Sequence, residues 1–128
     1  MRLLLDTHIL LWALTDDPRL PTLARTHLLN HGNSVYFSSA SVWEIAIKRT
    51  LPRSNMPISS HQAHKFFLEA GYEELTISAV HAALVESLPP IHSDPFDRIL
   101  IAQALSEPMR LITHDRIIAS YGNTITLV

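Results

Sequence analysis

The 128-residue chain contains no cysteine and only three glycines. Without cysteine it can form neither a disulfide framework nor a thiolate metal site, and it has no cysteine nucleophile. The absence suits a reducing cytoplasm, which is the compartment that we expect. With so little glycine, the sequence has no P-loop, no G-x-G-x-x-G turn and no G-x-S-x-G nucleophile elbow.

The chain also lacks a strong net charge and a long apolar run. Its formal net charge of -2 gives no hint of an overall basic surface, so a polyanionic substrate would be held locally, by metal ions and a few arginines. The apolar start Leu3–Leu5 stops at Asp6 with no small-residue cleavage pattern, which argues against a signal peptide. No apolar stretch reaches membrane-spanning length, and we expect no membrane partner.

What is present indicates a folded α/β domain over residues 1–128. The composition, 47% hydrophobic and 17% charged, suits one apolar core and is unlike that of a disordered chain. Short apolar segments typical of strands alternate with helical patterns, which predicts a mostly parallel sheet of four to five strands. The predicted strands are Leu3–Leu5, Val35–Phe37, Glu73–Ile77, Leu111–Thr113 and Ile125–Leu127.

Acidic residues fall close to the ends of these strands. Asp6 ends the first strand, and Asp115 lies two residues after the fourth. Glu44 lies in the first turns of the helix after the second strand, and Asp97 in the first turn of the helix before the fourth. Because ligands of open parallel sheets bind outside the carboxyl ends of the strands, we expect these acids to converge there.

A cluster of carboxylates in a partly dry pocket needs a compensating charge. Without one, mutual repulsion and burial raise their pKa values steeply. Mg²⁺ and Mn²⁺ prefer oxygen ligands, and such an ion can activate water and stabilise charge on a phosphorus centre. The acids therefore point to phosphodiester hydrolysis.

Each acid also has a structural interpretation. Asp6 and Asp115 can each cap a following helix, and Glu44 can pair with Lys48 four residues along a helix. The apolar neighbours of Glu44 weaken the surface-pair interpretation. For Asp115 the capping and metal roles are balanced.

Asp94 and Asp97 flank the start of one helix, with Pro95 between them. Asp94 is the better cap and Pro95 suits the first helical position, which leaves Asp97 free to face a metal ion. Asp94 can then help to orient Asp97 without itself contacting the metal ion. Arg98 follows directly and is either a phosphate contact or ordinary surface charge.

Hydroxyl and imidazole groups lie beside the same strand ends. Thr7, Ser38 and Thr113 can orient a carboxylate or water, or can make only local backbone bonds. Next to the acids, His8 and His114 are either substrate contacts or turn residues. The pair His61 and His64 lacks further ligands at a useful spacing, so zinc is a minor possibility.

Four blocks in this order resemble the PIN-domain ribonucleases, and more narrowly the VapC-type toxins of bacterial toxin–antitoxin pairs. The blocks are Leu3–His8, Ser41–Lys48, His92–Arg98 with Ile101–Ala104, and Leu111–Asp115. The likeness spans nearly the whole chain. One departure is the segment 49–55, which has no glycine where relatives commonly have a glycine-containing turn.

The resemblance implies an α/β/α sandwich with Mg²⁺- or Mn²⁺-dependent endoribonuclease activity. The family's acids fall on Asp6, Glu44, Asp97 and the more variable Asp115, with Asp6 and Asp97 as principal metal ligands. It further implies a homodimer inhibited by a small antitoxin whose tail enters the active-site groove.

Two other functions are compatible with the same acidic residues. A receiver-like Mg²⁺-binding module needs a lysine after a late strand, and the last lysine of the chain is Lys65. A catalytically silent binding module would have no need of the intact acids. Both rank below the nuclease.

Overall fold

The computed structural model describes residues 1–128 and contains five strands and seven α-helices. The strands are β1 (Arg2–Leu5), β2 (Ser34–Ser38), β3 (Glu73–Leu75), β4 (Arg110–Thr113) and β5 (Ile125–Leu127). The helices are α1 (Thr7–Leu14), α2 (Thr22–Leu29), α3 (Ser39–Arg49), α4 (Ser60–Glu69), α5 (Ala79–Leu84), α6 (Pro95–Ser106) and α7 (Arg116–Ala119). None of the helices combines the length and apolar character that a membrane crossing requires.

The five strands form one sheet in the order β3-β2-β1-β4-β5, and every neighbouring pair is parallel. The predicted α/β fold is therefore confirmed, with a sheet that is parallel throughout. The chain builds outward from β1 through β2 to β3 and then crosses to β4 on the other side of β1. The reversal of strand order between β1 and β4 creates the crevice where open parallel sheets bind ligands.

Strand β1 supplies side chains to apolar layers on both faces of the sheet. Leu3 and Leu5 belong to a buried cluster with residues of α1, α2 and α4, whereas Leu4 belongs to a second cluster built mainly from α6. All three leucines are fully buried. This explains why the strand reads as a continuous apolar run, and it confirms the three-layer sandwich.

Strand β3 ends two residues earlier than predicted, at Leu75 rather than Ile77. The backbone N–H of Ile77 donates to the hydroxyl of Ser39 at 3.2 Å. The segment after Leu75 therefore turns toward the start of α3 and leaves the strand ladder.

The loop between α3 and α4 closes without glycine. Asn55 adopts a φ of 51°, in the left-handed region that asparagine tolerates better than most residues. The Arg49 guanidinium donates to the carbonyl of Met56 at 2.8 Å and ties the loop to the end of α3. Asn55 thus takes the left-handed conformation that a glycine would otherwise provide in this segment.

We expect Phe37→Ala to destabilise the protein by about 3–5 kcal/mol, because a large side chain is removed from a packed core. Phe37 is fully buried, and its ring lies 5.1 Å from that of Phe67. Urea unfolding followed by circular dichroism measures the change. The matched control is Phe66→Ala, whose side chain is 38% exposed. Equal losses in the two variants would contradict the assigned core.

Candidate active site

Asp6 is fixed between the end of β1 and the start of α1. One carboxylate oxygen, Oδ1, accepts the backbone N–H of Ile9 at 2.9 Å and caps the helix. The other, Oδ2, accepts a hydrogen bond from the Thr113 hydroxyl. Only 4% of Asp6 is exposed. The capping interpretation is therefore correct, and it leaves the charge at the carboxyl edge of the sheet.

Asp115 uses its two oxygens for different tasks. Its Oδ1 accepts the backbone N–H of Ile117 at 2.7 Å and caps α7. Its Oδ2 lies 3.3 Å from Nε2 of His92. The Thr113 hydroxyl accepts the backbone N–H of Asp115 at 3.0 Å, so this one residue contacts both Asp6 and Asp115. Capping and membership of the acidic site are compatible here.

The start of α6 follows the sequence prediction. Asp94 Oδ1 accepts the backbone N–H groups of Phe96, at 2.8 Å, and of Asp97, at 3.3 Å. Asp94 is therefore the cap, with Pro95 in the first turn. The Asp97 carboxylate is left free of capping, and its Oδ2 lies 3.2 Å from Nε2 of His92.

Glu44 is paired with Lys48 but is not on a solvated helix face. Its Oε2 lies 2.6 Å from the Lys48 Nζ, while the residue as a whole is only 4% exposed. Its other oxygen, Oε1, is buried and has no hydrogen-bond partner. A buried acceptor without a donor is costly, and a bound cation would satisfy it.

The acids are close enough that the charge of one affects the pKa of another. Burial raises the pKa of Asp97 to about 7, and the charges of Asp94, Asp6 and Glu44 add to that rise. Burial likewise raises the pKa of Asp6, and the charge of Asp115 acts in the same direction. For Asp115, burial acts to raise the pKa, but hydrogen bonds from Ile117 and His92 outweigh it and lower the value.

His92 also belongs to this site, although it was assigned no role from the sequence. Ligand-type atoms of His92, Asp97 and Asp115 all lie within 4.8 Å of one another. The histidine is in the irregular segment before α6, where no periodicity marks it. The only local signal is its position two residues before the Asp94 cap.

Several predicted supporting residues contact other groups. The Arg98 guanidinium donates to the carbonyls of Val85, at 2.9 Å, and Pro89, at 3.0 Å, so its contacts are with the chain before α6. The Ser38 hydroxyl donates to Oε1 of Gln103 at 2.6 Å. The Thr7 hydroxyl bonds that of Ser41 at 2.9 Å. These bonds join elements around the site and do not reach an acid.

The remaining histidines singled out from the sequence make no hydrogen bond to the site acids, although the charge of His8 acts to lower the pKa of Asp6. The exposed rings of His8 and His114 lie 5.8 and 6.0 Å from the ring of Trp12. His64 is paired with Glu74 at 3.0 Å. No zinc-type cluster forms around His61 and His64.

The donors fit a hard divalent cation. They are carboxylate oxygens, at least one of which, Glu44 Oε1, is buried without a partner. The raised pKa values of Asp6 and Asp97 show that the protein alone does not compensate these charges. Oxygen-rich sites of this kind are typical of Mg²⁺ and Mn²⁺.

We expect Asp97→Asn to stabilise the metal-free protein at pH 8. A raised native pKa means that unfolding releases protons between the unfolded value near 4 and the native value of about 7. Asp97 therefore costs stability increasingly as the pH rises through that window.

Thermal unfolding of both proteins in EDTA, at pH 4 and pH 8, measures this effect. The difference is expected to be small at pH 4, because Asp97 is largely protonated there in the native state. A variant that is less stable than the wild type at pH 8 would contradict the assigned electrostatics.

Comparison with known proteins agrees with this geometry. The PIN domain family model matches residues 3–123. Ribonuclease VapC22 of Mycobacterium tuberculosis is 28% identical over 122 residues, covering 92% of this chain and 90% of that protein.

Solved structures share the fold at low sequence identity. VapBC2 from Rickettsia felis, crystallised with a DNA fragment from its promoter, has a TM-score of 0.70 and 17% identity over 100% of this chain and 98% of that chain. FitAcB from Neisseria gonorrhoeae has a TM-score of 0.63 and 17% identity, over 96% and 95% of the two chains. Because the family model covers most of the chain, including strands β2 to β4 and all four acids, this chain belongs to the PIN domain family.

Proposed function

We propose that the protein is a Mg²⁺- or Mn²⁺-dependent endoribonuclease and the toxin of a toxin–antitoxin pair. The observation that carries the proposal is the convergence of Asp6, Glu44, Asp97 and Asp115 at the carboxyl edge of a PIN-type sheet. The similarity to Ribonuclease VapC22 over 92% of the chain supports RNA as the substrate. Because an RNA substrate would be encountered in the cytoplasm, we propose that the protein acts there.

In this proposal Asp6 and Asp97 are the principal metal ligands. Glu44 and Asp115 hold a second ion or orient the attacking water. A divalent cation bound there supplies charge neutralisation, a lowered pKa for water and stabilisation of negative charge at phosphorus. The buried, partner-free Oε1 of Glu44 is available for such a role.

The surface beside the acids suits a single-stranded polyanion. A groove next to Glu44 is lined by His8, Trp12, Arg19 and Lys48, among other residues. The Arg19 guanidinium lies over the Trp12 ring at 5.5 Å from its centroid and is paired with Asp17, which also lines the groove. Aromatic rings and cationic groups together hold single-stranded RNA by stacking and charge. This groove would position the scissile phosphate, which explains how a chain with a net charge of -2 can bind RNA.

Two protein partners complete the proposal: a second copy of this chain and a small antitoxin. The fold shared with VapBC2 and FitAcB supports the antitoxin. The exposed apolar side chains of Trp43 and Ile47 on α3 are available for a protein interface. Co-expression with the product of a neighbouring reading frame, followed by sedimentation analysis, would test both partners.

We expect Asp6→Asn and Asp97→Asn to reduce RNA cleavage by more than about 100-fold, beyond the 10–100-fold typical of residues that only support a ligand. Asparagine keeps the shape of the side chain and removes the charge. Cleavage of total RNA in Mn²⁺ or Mg²⁺, with mapping of the cut ends, is the measurement. Addition of EDTA is expected to stop the wild-type reaction.

The matched control is Asp16→Asn, because the side chain of Asp16 is 81% exposed and is paired only with Arg25. Circular dichroism and thermal unfolding verify that all variants are folded. Full activity in a folded Asp6→Asn, Asp97→Asn double variant would refute the nuclease. Metal binding by calorimetry without any RNA cleavage would instead favour a Mg²⁺-binding regulatory module.

A further inference from the structure

The segment that carries His92 is held in place by groups from two other elements. The Tyr121 hydroxyl accepts the backbone N–H of His92 at 2.6 Å and donates to the carbonyl of Pro89 at 2.9 Å. Arg98 donates to the same Pro89 carbonyl at 3.0 Å. The position of the His92 backbone is therefore fixed independently of the acids.

The orientation of the imidazole ring is fixed as well. The backbone N–H of Asp94 donates to His92 Nδ1 at 3.0 Å. A backbone N–H can only donate, so Nδ1 must present its lone pair. A neutral imidazole with an acceptor at Nδ1 carries its proton at Nε2. The fold thus selects one tautomer of His92.

The protonated nitrogen faces two carboxylates from different helices. Nε2 is hydrogen-bonded to Oδ2 of Asp115 at 3.3 Å, and it lies 3.2 Å from Oδ2 of Asp97, an ion-pair distance without hydrogen-bond geometry. The three atoms are close enough together to share an ion. However, a nitrogen that carries a proton has no lone pair for a metal, so the spacing alone does not make His92 a ligand.

We propose that His92 is a positioning residue whose Nε2–H donates to Asp115 and lies against Asp97, and that it is not itself a metal ligand. The inference rests on the proposed metal site, and it adds the Nε2–H of His92 as a hydrogen-bond donor to that site. His92 is buried enough to hold this geometry, with 13% of its side chain exposed. It brings together two like-charged groups whose helices make no common hydrogen bond at this point.

This assignment has a consequence for the chemistry of the site. With His92 as a donor, the ligands from this cluster are carboxylate oxygens only. Oxygen ligands suit Mg²⁺ and Mn²⁺, whereas an imidazole ligand shifts preference toward zinc and other late transition metals. A histidine that orients ligand carboxylates acts as the outer-shell partners of metal sites do.

The tautomer is tested directly on the uniformly ¹⁵N-labelled wild-type protein. Long-range ¹H–¹⁵N correlation spectra distinguish a protonated ring nitrogen from an unprotonated one. We expect the His92 ring to be protonated at Nε2 and unprotonated at Nδ1, both before and after addition of Mg²⁺. A ring protonated at Nδ1 with a free Nε2 overturns the proposal.

Direct ligation is tested with Mn²⁺ as the probe. Electron spin-echo modulation detects the ¹⁴N nucleus of an imidazole bound to Mn²⁺. We expect the same ¹⁴N modulation in the wild type and in His92→Gln. An imidazole signal in the wild type that is lost in His92→Gln shows that His92 is a ligand and overturns the proposal.

The positioning role is tested by the Mn²⁺ affinity of variants, measured by calorimetry. We expect His92→Ala to weaken binding by about 10–100-fold, the range for outer-shell partners of metal ligands. His92→Gln keeps an N–H donor near the position of Nε2 and is expected to recover most of that loss. Wild-type affinity in His92→Ala, or a loss in His92→Gln as large as that in His92→Ala, overturns the role.

The control is His31→Ala, because His31 is exposed in the turn before β2, at the opposite edge of the sheet. If His92→Ala does not fold, His92→Gln and the spectra of the wild type still decide the proposal. A wild type that binds no Mn²⁺ refutes the proposed metal site, and the ring spectra then decide the His92 assignment alone. The two failures are thereby distinguishable.

Discussion

Repulsion among the carboxylates at the edge of the sheet is the constraint on which the rest of the site depends. Three acids are held there by backbone N–H groups at helix starts: Asp6 caps α1, Asp94 caps α6 and Asp115 caps α7. The N-terminus of a helix also favours negative charge through its dipole, which offsets part of the repulsion. In this parallel sheet several helices begin at the same edge. The acids that cap them therefore also lie close together there.

Capping does not compensate all of this charge, because the pKa of Asp6 is raised although it caps α1, and two acids of the site are not caps. Asp97 has a pKa of about 7, and Glu44 leaves one buried oxygen without a donor. A site optimised for stability alone would have neutralised both groups. Perturbed carboxylates in a crevice are instead typical of functional sites, and here they lie where a cation is needed. In the proposed nuclease, a bound cation would relieve this cost, which would favour its binding.

The sequence predicted the parts of this arrangement that local patterns encode. Buried strands read as apolar runs, such as Leu3–Leu5, and the acids that follow them necessarily reach one edge of a parallel sheet. Roles set by long-range hydrogen bonds could not be predicted in this way. Arg98 was predicted to be either a phosphate contact or surface charge, and its guanidinium donates to carbonyls 9 and 13 residues before it. His92 lies in an irregular segment, and its partners Asp115 and Tyr121 are 23 and 29 residues away.

The contacts of Arg98 bear on the geometry of the site. Together with Tyr121 it fixes the segment Val85–His92, so a residue that contacts no acid still determines where an imidazole meets two of them. The hydroxyl of Tyr121 accepts from Arg98 and His92 and donates to Pro89, which satisfies the polar groups of a proline-rich turn that has no strand or helix to pair with. Rigidity in that turn matters because His92 can donate to Asp115 and lie beside Asp97 only if the direction of its ring is fixed. The acids supply the charge of the site, and this irregular segment supplies the spacing between two of them.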